Sequence, residues 1–113
     1  MAHPRPRRRS VIKLYILKDR VPVPATITEW GAFLNSPERV VDITELPGKV
    51  IISTVFLGID PHRHEPPMLY ETMIFGGPHS HYQDRSATWD DAVAIHRHAC
   101  IIARLGLVEG GDA

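Results

Sequence analysis

The sequence predicts an α+β domain: a small antiparallel sheet with two helices packed on one face, in the order β-α-β-β-β-α. Three observations carry this reading. Residues 49–58 (KVIISTVFLG) and 68–75 (MLYETMIF) are rich in β-branched and aromatic side chains, as strands are. Two other segments place apolar residues at three- and four-residue spacing behind a threonine, the pattern of a capped amphipathic helix. The strand-like segments also follow one another through short connections, which favours antiparallel neighbours over a parallel crossover.

The elements follow in order. Residues 1–10 carry proline and arginine with almost no apolar content, so they are expected to form a disordered basic arm ahead of a single domain over 11–106. Residues 11–17 (VIKLYIL) read as a strand and 18–20 as a turn. In 21–24 (VPVP) each proline fixes its own φ and keeps its predecessor out of the helical region, so the segment is extended. Thr26 or Thr28 caps a short helix that buries Ile27, Trp30, Phe33 and Leu34, and Ser36-Pro37 ends it. Residues 39–44 form the next strand, with a turn at Pro47-Gly48.

Two further strands, 49–58 and 68–75, enclose a proline-stiffened polar loop, 60–67 (DPHRHEPP). Strand alternation puts Leu69, Glu71 and Met73 on one face and Tyr70, Thr72 and Ile74 on the other. A second loop runs from Gly76-Gly77-Pro78 to Arg85. Thr88 then caps the last helix, with Asp90 and Asp91 in the first turn, where the helix dipole favours negative charge. Its stripe is Trp89, Ala92, Val93, His96, Ala99, Cys100 and Ala103. Gly106 is the expected stop, leaving 107–113 as a flexible tail.

Thirteen basic residues balance thirteen acidic ones, so net charge selects no partner. Their distribution is uneven: Arg5, Arg7, Arg8 and Arg9 crowd the first nine residues, and the rest is mildly acidic. The arm is either a solvated tail or an electrostatic contact for nucleic acid or an acidic partner, without aromatic residues for base stacking. Cys100 is the single cysteine, so no internal disulfide forms and a reducing compartment fits. No apolar run reaches the roughly 20 residues of a membrane helix, and no h-region follows the arginines, so a cytoplasmic protein is expected.

Six of the seven histidines fall in three His-x-His pairs, at 62/64, 79/81 and 96/98. In an extended segment, residues two apart point the same way and can chelate one ion; in a helix they diverge. His96 therefore lies on the buried stripe and His98 faces out. His96 with Cys100, one turn on, is either a ligand or base-thiol pair or two core residues. Asp60, His62 and His64 are the candidate ligands for a divalent metal, zinc or manganese, although no cofactor is required. The alternative is a solvated loop. His79 and His81 lie at the far end of strand 68–75, away from that loop. Glu71 and His96 are the candidate acid-base residues if the fold brings them together. No P-loop, G-x-G-x-x-G, Cys-x-x-Cys, G-x-S-x-G or H-E-x-x-H motif occurs.

STVFLGID (53–60), PPMLYETMIFGG (66–77) and SATWDDA (86–92) followed by His96 resemble a family of small phage and prophage proteins largely without assigned activity. Leu14–Leu17, the Val-Pro pair and Glu29-Trp30 extend the likeness, which covers roughly 12–104. The family usually has a histidine directly after the aspartate, where this chain has Pro61 and then His62, and usually keeps one at His96. Asp60, His62, Glu71 and His96 are the residues the resemblance carries over. It implies a small accessory protein in the host cytoplasm that binds a host protein, for instance to inhibit a defence system. The alternatives are a small metal-dependent or acid-base enzyme using the histidine loops, and nucleic-acid binding through Arg5–Arg9.

Overall fold

The computed structural model describes residues 12–110, so the basic arm with Arg5, Arg7, Arg8 and Arg9 lies outside the described residues. The fold is α+β, with a two-stranded and a four-stranded antiparallel sheet and a long C-terminal helix packed on the larger one. It contains two more strands than the sequence pattern predicts.

The first extra strand is the VPVP segment. β1 (Tyr15–Lys18) and β2 (Val21–Pro24) pair as a hairpin, with Tyr15 opposite Pro24 and Leu17 opposite Pro22. Asp19 and Arg20 both take positive φ, 51° and 66°, the backbone of a two-residue turn whose twist matches the strands. Proline is tolerated because β2 is an edge strand. α1 (Ile27–Leu34) follows. Thr26 caps it: its hydroxyl accepts from the Glu29 N–H, and the Glu29 carboxylate accepts from the Thr26 N–H at 2.8 Å. Trp30 and Phe33 turn inward, but Ile27 is 72% exposed, so the expected buried face lacks its first residue. The cap places Ile27 at the first helical position, ahead of the turn that meets β1.

A 3₁₀ turn, Pro37–Arg39, leads into β3 (Val40–Leu46), β4 (Val50–Phe56), β5 (Tyr70–Phe75) and β6 (Gln83–Ser86), in that spatial order. β6 is the second extra strand. Its sequence, QDRS, has no apolar alternation; it is placed by pairing with β5, Tyr70 opposite Ser86 and Met73 opposite Gln83. Gly58, after β4, has φ +69°, and a Cβ there would collide with the Tyr15 carbonyl oxygen. Only glycine lets β1 come this close, with the Tyr15 N–H bonded to the Gly58 oxygen and the Trp30 indole N–H to the Leu57 oxygen.

α2 (Trp89–Gly110) starts at Thr88, whose hydroxyl accepts from the Asp91 N–H. Its stripe meets alternate residues of the sheet in two apolar clusters. Val50, Ile52 and Ile74 pack on Ala99, Cys100 and Ala103; Phe56, Leu69 and Tyr70 pack on Ala92. α1 reaches this same face through Phe33, edge-on to Phe56 at 5.7 Å between ring centres.

The helix does not stop at Gly106, so residues 107–110 belong to α2 and not to a flexible tail. Gly106 has a packing role: a Cβ there would lie 2.7 Å from Cδ2 of His79, which lies against the helix. A mid-helix Gly→Ala exchange gains about 1 kcal/mol in helix propensity where the added methyl has room. Gly106→Ala is expected to show that gain in urea unfolding only in a His79→Ala background. Equal gains in both backgrounds would show that His79 does not constrain position 106.

Candidate functional site

Alternation along β4 and β5 sorts the candidate residues onto two faces. Thr54 and Thr72 point toward α2 with the core, while Glu71 points the other way, where it accepts a hydrogen bond from the Gln83 amide. Glu71 and His96 therefore sit on opposite sides of the sheet and do not form an acid-base pair. The sequence pattern already separates Glu71 from Thr72; which face receives α2 is set by packing.

His96 is 2% exposed and sits between the two apolar clusters. Its Nδ1 is 2.7 Å from Thr54 Oγ1, which is 2.7 Å from Thr72 Oγ1. Its Nε2 is 2.9 Å from Thr44 Oγ1 and 3.6 Å from the Asp42 carboxylate. With a carboxylate beside it, Nε2 carries the proton. Nδ1 then accepts from the Thr54 hydroxyl, which in turn accepts from Thr72. Burial pushes the His96 pKa down, opposed in part by Asp42. Thr54 and Thr72 are fully buried, so this chain of hydroxyls offers nothing to a substrate; only its Asp42 end, 57% exposed, meets solvent. Sequence reasoning missed all three threonines, although Thr54 and Thr72 lie at core-facing positions of the two strongest strands. Cys100 is buried in the core.

The Asp60 loop is organised from within. Asp60 is 5% exposed, and its carboxylate accepts from the N–H groups of His62, His64 and Met68 and from His64 Nδ1, at 2.8–3.0 Å. Burial alone would raise its pKa; the hydrogen bonds, Met68 foremost, outweigh this and hold the carboxyl well below the usual carboxylate range. Both carboxylate oxygens are thus engaged in shaping the loop. The His62 and His64 rings lie 5.9 Å apart, edge to face, and both residues are exposed. Among the described residues, no three His, Cys, Asp or Glu side chains are grouped to hold a metal. His79 and His81 lie beyond the other end of β5.

Two other surfaces stand out. A cleft of about 360 Å³ opens between the hairpin turn and the start of α2, lined by Leu17, Phe33, Val40 and Trp89 and rimmed by Asp19, Arg20 and Glu38. The Arg20 guanidinium sits 4.7 Å over the Trp89 ring, a cation–π contact. The second surface is the sheet face away from α2. Ile43, Ser53, Met73 and Gln83 lie in register across its four strands, and Ile51 stands beside Phe75. Ile43 is 52% and Phe75 47% exposed. No described helix packs on this face.

No protein-family model, curated protein or solved structure matches the chain. Nor is any described helix long and apolar enough to cross a membrane.

Proposed function

We propose that this chain is a small phage or prophage accessory protein that works in the host cytoplasm by binding a host protein, in the manner of an inhibitor of a defence system. One observation carries the binding reading. The four-stranded sheet is covered by helix on one face only, and the other presents Ile43 and Phe75 about half exposed, with Ile51, Val55 and Met73 among them. An exposed apolar sheet face of this kind supports a protein-docking reading. The candidate chemical groups support the same reading: Asp60 is saturated by its own loop, and His96 is sealed between threonines. The phage origin rests on the sequence resemblance.

Affinity purification of the tagged chain from bacterial cells is expected to recover a stoichiometric host protein. The Ile43→Asp/Phe75→Asp variant should lose it, while His64→Ala and deletion of residues 1–10 should keep it. A complex indifferent to the double substitution overturns this assignment of the surface. One equivalent of zinc or manganese in dialysed protein, lost on His62→Ala, would replace the binding reading with the metal-enzyme one.

A further inference from the structure

The outward face of α2 carries a second apolar surface, on the opposite side of the molecule from the bare sheet face. Ala94, Ile101 and Val108 recur every seven residues, with His98 and Leu105 interleaved at four-residue steps, and all are exposed. Ile101, Leu105 and Val108 are 54%, 57% and 76% exposed. A helix that turns apolar side chains to the outside as well as to the sheet has more to bury than its own fold provides.

Charge and shape around the stripe point to what covers it. Asp90 and Asp91 stand exposed at the start of α2, and Arg104 stands exposed near its end. On the flank beside the first turns lies a cleft of about 340 Å³, lined by Pro66, Met68, Ala87, Ala94 and Ile95 together with Asp91. We infer that the protein forms a twofold dimer in which α2 packs antiparallel on α2 of a second copy. With the axis between Arg97 and His98, Arg104 of each copy comes level with Asp90 and Asp91 of the other. Ile101 comes level with Ala94, and Leu105 with Asp90 at the mouth of the cleft, so each copy supplies both the protruding side chain and the recess. That is the self-complementarity a twofold interface requires. A parallel pair would set Arg104 against Arg104 and leave both clefts unfilled. Arg97, beside the axis, carries its charge outward on a long stem. The stripe from Asp90 to Val108 spans about 27 Å at 1.5 Å per residue.

The test is sedimentation equilibrium of the full chain over a concentration series. The wild type is expected to pass from 12.7 kDa to twice that mass. Leu105→Glu should weaken the dimer about tenfold or more, since it places a charge in a buried apolar contact. Arg104→Asp alone should weaken it. Adding Asp90→Arg and Asp91→Arg should restore it, a rescue that only the antiparallel arrangement gives. Ile43→Asp/Phe75→Asp should leave the dimer intact, which separates this interface from the host-binding face. A wild type that stays monomeric throughout, a dimer untouched by Leu105→Glu, or charge reversal without rescue would each overturn the proposal.

Discussion

Asp60→Asn is expected to unfold the domain far more readily than its size suggests, lowering stability by about 2–4 kcal/mol and the melting temperature by about 10 °C or more. The substitution conserves volume, so packing is not the reason. Asp60 is surrounded by donors: three backbone N–H groups and His64 Nδ1. Oδ2 alone receives three of them. An amide placed there turns its NH₂ toward N–H groups or leaves them bare, and hydrogen bonds to a charged acceptor are the stronger kind. The effect extends past the loop. Met68 leads directly into Leu69, whose carbonyl accepts from the Leu57 and Gly58 N–H groups, and Gly58 in turn anchors β1. Loss of the carboxylate therefore loosens the junction of β4, β5 and the hairpin together.

The pH dependence follows from the same contacts. The native carboxyl is held below its unfolded value of about 4, so its contribution is complete above pH ~4. Below that the unfolded chain binds a proton that the native chain refuses, and stability falls as the medium becomes acidic. Urea titrations at pH 7 and pH 3 measure both effects. The gap between wild type and Asp60→Asn should narrow at pH 3. Wild-type stability of the Asp60→Asn variant at pH 7 would show that the four hydrogen bonds contribute nothing net.

These residues also show where sequence reading stops. The helix caps, the α2 stripe and the two long strands are local or periodic features, so Thr26, Thr88, His96 and the alternation of β4 and β5 were legible one segment at a time. β6 was not, because QDRS has no pattern of its own and is a strand only through its partner. β2 was hidden by prolines that an edge position tolerates. The Asp60 loop shows ligand-like spacing, and spacing alone does not tell whether a carboxylate looks outward to an ion or inward to its own backbone. The exposed apolar faces are the complement of the core, so Ile43, Phe75, Ile101 and Leu105 could be recognised only once it was known which apolar residues the fold leaves out.

His96→Leu is the second large expected effect, a loss of about 2–4 kcal/mol despite the gain of an apolar side chain in the core. The polar layer of His96, Thr54 and Thr72 lies between two apolar clusters, one around Ile52 and Ile74, the other around Phe56 and Tyr70. The Thr54 hydroxyl links the ring to Thr72. Leucine removes the acceptor of the Thr54 hydroxyl and leaves the buried Thr54–Thr72 pair one partner short, while Thr44 is only partly buried; a buried polar group short of a partner loses more than the hydrogen bond itself contributed. If that is the cause, replacing the two buried hydroxyls must repair the damage: His96→Leu/Thr54→Val/Thr72→Val should recover most of the stability, since removing the buried partners together leaves no orphan in the core. A triple variant no better than the single one would place the cost in shape instead. Acid should act on the wild type in the same direction. The native ring has its pKa lowered by burial, against an unfolded value of about 6.5, so below that pH the unfolded chain takes up the proton first. The His96 contribution is therefore present above pH ~6.5 and declines as pH falls beneath it, until the native ring titrates as well. That part of the decline should be missing in His96→Leu, which makes the difference between the two stability–pH curves a direct reading of this one buried ring.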